Sequence, residues 1–96
     1  MSVSDADCAF AMELFGPLGD LANRKMFGGL GPYLDGAIFA LLFSDGQIYL
    51  KAKDPRPSEL SDSAQFHNMP YWSLPDACLD DPEVACDLAR TTIASL

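Results

Sequence analysis

The sequence predicts a mixed helix-and-sheet domain in the order helix, sheet, helix, and three observations lead there. Helix start signals stand near both ends, at Ser4 and Asp81. Two Asp-Gly pairs, Asp35-Gly36 and Asp45-Gly46, punctuate an apolar middle. A length of 96 residues allows a single domain with one modest core.

The first helix is read from SVSDADCAFAMELFGPLGDLANR. Ser4 is the expected N-cap, and Asp5 and Asp7 fall in the first turn, where the helix dipole favours acids. Cys8, Ala11, Met12, Phe15 and Leu18 recur at helical spacing and form one apolar face. Gly16-Pro17 ends or bends this helix, because proline lacks an amide donor and crowds the preceding turn.

The middle, from Arg24 to Lys51, holds five of the seven glycines. A phosphate-binding loop needs GxxxxGK[ST], and a dinucleotide fingerprint needs GxGxxG between a strand and a helix; the sequence contains neither. The glycines are therefore expected to shape a meander, with Gly28, Gly29, Gly36 and Gly46 at its structural turns. Gly28, Gly29 and Gly31 mark a bulge or a close backbone approach. Three strands follow: Met26 to Leu34 with a break at the glycines, Ala37 to Phe43, and Gln47 to Lys53. The central one, AIFALLF, is apolar on both faces, which calls for helices on one side and a second cover, such as a partner subunit, on the other. In the third, Ile48 and Leu50 point one way and Gln47, Tyr49, Lys51 and Lys53 the other, giving a wet outer face.

The final helix begins at LDDPEV, with Asp81 as N-cap, Pro82 at the first helical position and Glu83 next. Its packing face is Ala85, Leu88, Ala89, Ile93 and Leu96. Just before it, Tyr71-Trp72 beside Leu74-Pro75 is expected to plug the base of this helix.

Composition narrows the function classes. With 49% hydrophobic and 21% charged residues the chain is globular. It has no apolar run long enough for a membrane span, and its N-terminus carries acids where a signal peptide carries basic residues, so the cytoplasm is the expected compartment. Cys8, Cys78 and Cys86 form no CxxC pair and read as small apolar residues; with His67 the sole histidine, no catalytic residue, metal ligand or cofactor is assigned. The formal charge of -8 argues against a nucleic-acid binder. That charge is uneven, because residues 24–56 carry Arg24, Lys25, Lys51, Lys53 and Arg56 against three acids, between acidic flanks.

The stretch RKMFGGLGPYLDGAIFALLFSDGQIYLK resembles the N-terminal domain of the TfoX/Sxy proteins. The resemblance rests on Arg24, Met26, Phe27, Gly28, Gly29, Gly31, Tyr33, Asp35-Gly36, Phe39-Ala40 and Tyr49 to Lys51, and continues in MPYWSLPDACLDDPEVACDLA. It implies an α+β fold, a two-layer sandwich with an antiparallel meander packed against N- and C-terminal helices, and a homodimer. Named members of that family regulate natural competence and DNA uptake as transcriptional coactivators. Full-length members carry a second, helical domain; this sequence ends at Leu96, and a single domain over residues 1–96 is expected. The family has a further hairpin between the positions of Lys53 and Met69, where this chain is short and interrupted by prolines, so a sheet lacking one strand is expected.

Three function classes are open. One is a non-catalytic regulatory module acting through protein partners, either transcription machinery or a separate helical domain. Another is a small-molecule binder or enzyme using Arg24 and Lys51 as anion contacts beside Tyr33, Tyr49, Tyr71 or Trp72. The last is a weak nucleic-acid binder using the basic middle and its aromatics. Convergence of Arg24, Lys51, Tyr33 and Tyr49 in one pocket is what the second class requires.

Overall fold

The computed structural model describes residues 4–26, 29–53 and 57–95. Helix α1 spans Asp5–Phe15, and the Ser4 hydroxyl accepts the Asp7 amide at 3.1 Å, as the cap signal predicts. Proline then tightens the chain into a 3-10 turn over Gly16–Leu18. The buried face of α1 is Ala11, Leu14 and Phe15, with Cys8 and Leu18 half-buried against the same core. Leu14 therefore joins the predicted face, and Met12 sits at its margin.

The sheet is wider than predicted. Strands β1 (Leu21–Met26) and β2 (Gly29–Leu34) pair antiparallel, so Leu21 to Lys25, read as following the helix, form a strand of their own. Arg24 lies inside this strand and not before it. Phe27 and Gly28, which link the two, are outside the described residues. Next come β3 (Ala37–Ile38), β4 (Ala40–Leu42), β5 (Ile48–Lys51) and β6 (Tyr71–Ser73), giving the order β1-β2-β4-β5-β6 with β3 also on β2. Helices α2 (Asp76–Leu79) and α3 (Pro82–Ala94) follow. The fold is thus α+β, an antiparallel sheet with helices from both ends of the chain against one face.

Each turn has its own chemistry. Asp35 and Gly36 have φ of 52° and 83°, and Leu34 pairs with Ala37, the two-residue hairpin that Asp-Gly predicts. The second hairpin is longer: Phe43 bonds Gln47, Gly46 bonds back to Phe43 at 2.9 Å, and Gly46 has φ of 85°. This is a three-residue loop closed by a glycine in the left-handed region, with the Asp45 carboxylate accepting the Gln47 amide at 2.8 Å. Gly29 needs its missing side chain for space, because a Cβ there would fall on the Leu42 carbonyl and lie 3.0 Å from the Phe43 Cα.

The predicted central strand breaks at Phe39. Between the Tyr33–Ile38 pair and the Leu30–Leu42 pair, β2 advances three residues and its partner four, so one residue is extra, a β-bulge. The consequence is that neighbours Phe39 and Ala40 both enter the main core, where Phe39 meets Phe15 edge-on at 5.3 Å. That core also takes Leu30, Leu42, Ile48, Leu50, Leu60 and Leu74 beneath Ala85, Cys86, Leu88 and Ala89 of α3. The Asp81 side chain caps α3 by accepting from Glu83 and Val84, as predicted, and Thr92 is buried beside Ala89. Leu96 lies outside the described residues.

The second face of β4 and β5 is covered by the chain itself. Residues 64–69 fold back so that Leu41, Phe66 and Tyr71 form a separate buried cluster, flanked by Phe43, Tyr49 and Met69. Phe66 packs at 4.9 Å from Phe43 and 5.0 Å from Tyr49. This corrects two expectations. The two-faced apolar strand is covered in cis, and Tyr49 is half-buried instead of standing on a wet face.

Between Lys53 and Met69 the described residues hold a 3-10 turn over Ser58–Leu60 and one bridge from Gln65 to Trp72 but no hairpin, and the sheet's last strand, Tyr71–Ser73, follows and pairs with β5. Trp72 belongs to this strand, half-buried against the main core, with its indole N–H donating to the Ala52 carbonyl at 3.3 Å.

Candidate functional site

The register fixes which side chains share a face. Leu30 and Leu42 pair and both enter the helix-side core, so Gly31 and Tyr33 face the opposite way, together with their partners Arg24 and Ile38. Leu41 and its partner Tyr49 lie on that same face, and Lys51, two residues on, with them. All four predicted contact residues, Arg24, Tyr33, Lys51 and Tyr49, therefore stand on the face away from the helices.

They do not form one site. Asn23, Arg24, Tyr33, Gly36 and Ile38 line a hollow of about 400 Å³ at the β1–β2–β3 end. Lys51 and Tyr49 do not line it. Tyr49 belongs to the Phe66 cluster, where burial, then the nearby Asp45 charge, pushes its phenol up from the ordinary value. Opposite Arg24 stands Gly31, which contributes no side chain to cover it. Asn23, Arg24 and Lys25 are exposed, and Tyr33 and Ile38 half-buried. Among the described residues the ion pair is Arg90–Asp87, 3.0 Å apart on α3, and Arg24 has no carboxylate partner among them.

The two edges of the sheet differ. Outside β6 the chain runs back along it: Ser73 donates its amide to Ala64, Phe66 donates to Tyr71, and Gln65 bridges Trp72. Outside β1, among the described residues, no backbone hydrogen bond arrives from another segment. Alternate amides and carbonyls of this six-residue strand thus face outward. Sequence reasoning missed this edge because Ala22, Asn23 and Lys25 are weak strand formers; the signal available was the basic pair Arg24-Lys25, residue types that guard strand edges.

The remaining reactive groups are set inward. Cys78 and Cys86 are buried, and burial raises both thiols above the ordinary value, with Glu59 and Asp81 adding to the effect at Cys78. The Cys86 thiol donates to the Leu14 carbonyl at 3.4 Å, tying α3 to α1. His67 is exposed at a left-handed turn position and packs on the Phe66 ring at 4.5 Å. Among the described residues no three His, Cys, Asp or Glu side chains group to hold a metal, and no helix is long and apolar enough to cross a membrane.

An antiparallel sheet with helices on one face, its other face half covered by its own loop and, among the described residues, one edge left open, defines a small α+β domain. The chain belongs to the TfoX N-terminal domain family, whose model matches residues 13–96. No curated protein matches the sequence.

Proposed function

We propose that this domain is a non-catalytic interaction module that works in transcriptional regulation through protein partners. The observation that carries this reading is the β1–β2–β3 end of the sheet, where among the described residues Arg24, Tyr33 and Ile38 stand without the cover that Phe66 gives the other end. Partner classes that fit are transcription machinery and a separate helical domain, as the family's competence regulators suggest. A second copy of the chain fits elsewhere, over Phe10 and Val84, each 44% exposed on α1 and α3. Against direct nucleic-acid contact stands the formal charge of -8.

A second reading has one observation in its favour. Arg24 and Tyr33 share a hollow of about 400 Å³, room for a small anion with an apolar body. Lys51 and Tyr49 lie outside it, which leaves a single cation for the task.

Affinity capture of the tagged protein from an extract of its own source, at low and moderate salt, separates these readings. Reproducible enrichment of transcription proteins that a Tyr33→Glu variant fails to retain is the expected result. Recovery of the bait alone would overturn the interaction reading and direct the search to small anions.

A further inference from the structure

Resting on the interaction reading, we propose that the open edge of β1 is a strand-addition site for an extended acidic segment of a partner protein. Three observations meet there. The edge offers the outward-facing alternate amides and carbonyls of a six-residue strand, which bond no other segment among the described residues, while the opposite edge at β6 is closed by residues 64–66. A seventh strand laid along Leu21–Met26 would recover those hydrogen bonds without disturbing the fold.

Charge selects the partner. Arg24 and Lys25 stand exposed on this strand in a chain with 14 acids, and among the described residues neither has a carboxylate partner. An added strand carrying Glu or Asp on the face of Arg24 would place a carboxylate beside its guanidinium, while Lys25, on the other face, adds to the positive charge of the edge. Self-pairing of two copies along β1 would instead put two Arg24-Lys25 pairs on one short ladder, where like charges oppose each other. Side-chain readout comes from the adjoining hollow: a residue of the added strand next to Arg24 reaches the space bounded by Asn23, Tyr33, Gly36 and Ile38. Strand addition of this kind takes affinity from the backbone and selectivity from such a pocket.

The test is a titration of the isotope-labelled protein with a seven-residue peptide of alternating Glu and Val, acetylated and amidated at its ends, followed by amide chemical shifts. Shifts confined to β1 and the residues of the hollow are expected. Methylation of alternate peptide amides should weaken binding at least about tenfold, as should replacement of every Glu by Lys or the protein substitution Arg24→Glu. The methylated peptide leaves the protein untouched, so its result stands even if the variant misfolds.

No shift at about 1 mM peptide, shifts located on the helices, or equal binding of the methylated peptide would overturn the proposal. So would concentration-dependent β1 shifts in the protein alone, which would assign the edge to a second copy. A captured partner that Arg24→Glu retains but Tyr33→Glu loses would remove the edge site and leave the interaction reading intact.

Discussion

The two ends of this sheet carry similar aromatic and aliphatic residues and are finished in opposite ways. At the β5–β6 end, Leu41, Tyr49 and Tyr71 are roofed by Phe66, and the outer backbone is bonded by residues 64–66. At the β1 end, Tyr33 and Ile38 border a hollow, and among the described residues no segment bonds the outer backbone. The connection between β5 and β6 serves as a second layer, and among the described residues it covers the β5–β6 end. The contrast shows where the fold is self-sufficient and where it leaves surface for something else.

Truncating aromatic rings should separate the two ends most strongly. Phe39→Ala removes a fully buried ring in edge contact with Phe15 and should cost about 3 to 5 kcal/mol, with Phe66→Ala near the lower figure. Tyr33→Ala, at the open end, should cost no more than about 1 kcal/mol. Urea titrations of the three variants check the ranking, and a Tyr33→Ala loss equal to that of Phe66→Ala would show that the open end is packed after all.

A smaller effect is expected at Gly29, where a methyl group meets the Leu42 carbonyl. Gly29→Ala should destabilise by about 1 to 3 kcal/mol, because backbone and not a flexible side chain must shift. Denaturant midpoints read this directly.

Alkaline pH probes the covered region alone. Burial raises Cys78 and Cys86 above 9.0, and Tyr49 and Tyr71 above 10.0, so in this range the unfolded chain releases protons that the folded one keeps. Their contribution is fully present below the unfolded values and is lost as pH rises through the higher folded ones. Stability measured by urea should therefore hold steady to about pH 8 and decline above pH 9, the thiols first. Replacing both buried cysteines with Ala should flatten the first part of that decline.

The smallest stability change is expected at the open edge. Arg24→Glu breaks no ion pair among the described residues and should alter stability by no more than about 0.5 kcal/mol. Binding, and not folding, is where that substitution is expected to show.

How much of this was legible in the sequence follows from how local each contact is. Ser4 and Asp81 bond amides two or three residues away, and Asp35-Gly36 needs only its own backbone, so caps and first turn are readable without the fold. β1 depends on pairing with β2, because its Ala, Asn and Lys are weak strand formers and only the basic pair Arg24-Lys25 hints at an edge. The Phe39 bulge hides in a run apolar on both sides, where a shift of face leaves no mark. For the site, period-two alternation correctly puts Tyr49 and Lys51 on one face, but the roof over Tyr49 comes from Phe66, seventeen residues away in sequence. Arg24 and Tyr33 meet only once the β1–β2 register is known.

Hydrogen exchange of individual backbone amides, compared between the free protein and its complex with a captured partner, reads the state of the β1 edge residue by residue. Alternate amides of Leu21–Met26 should exchange quickly in the free protein, those of β4 and β5 should be protected throughout, and the partner should slow exchange along β1. Protection of every β1 amide in the free protein, or slowing confined to the helices on binding, would contradict an open β1 edge.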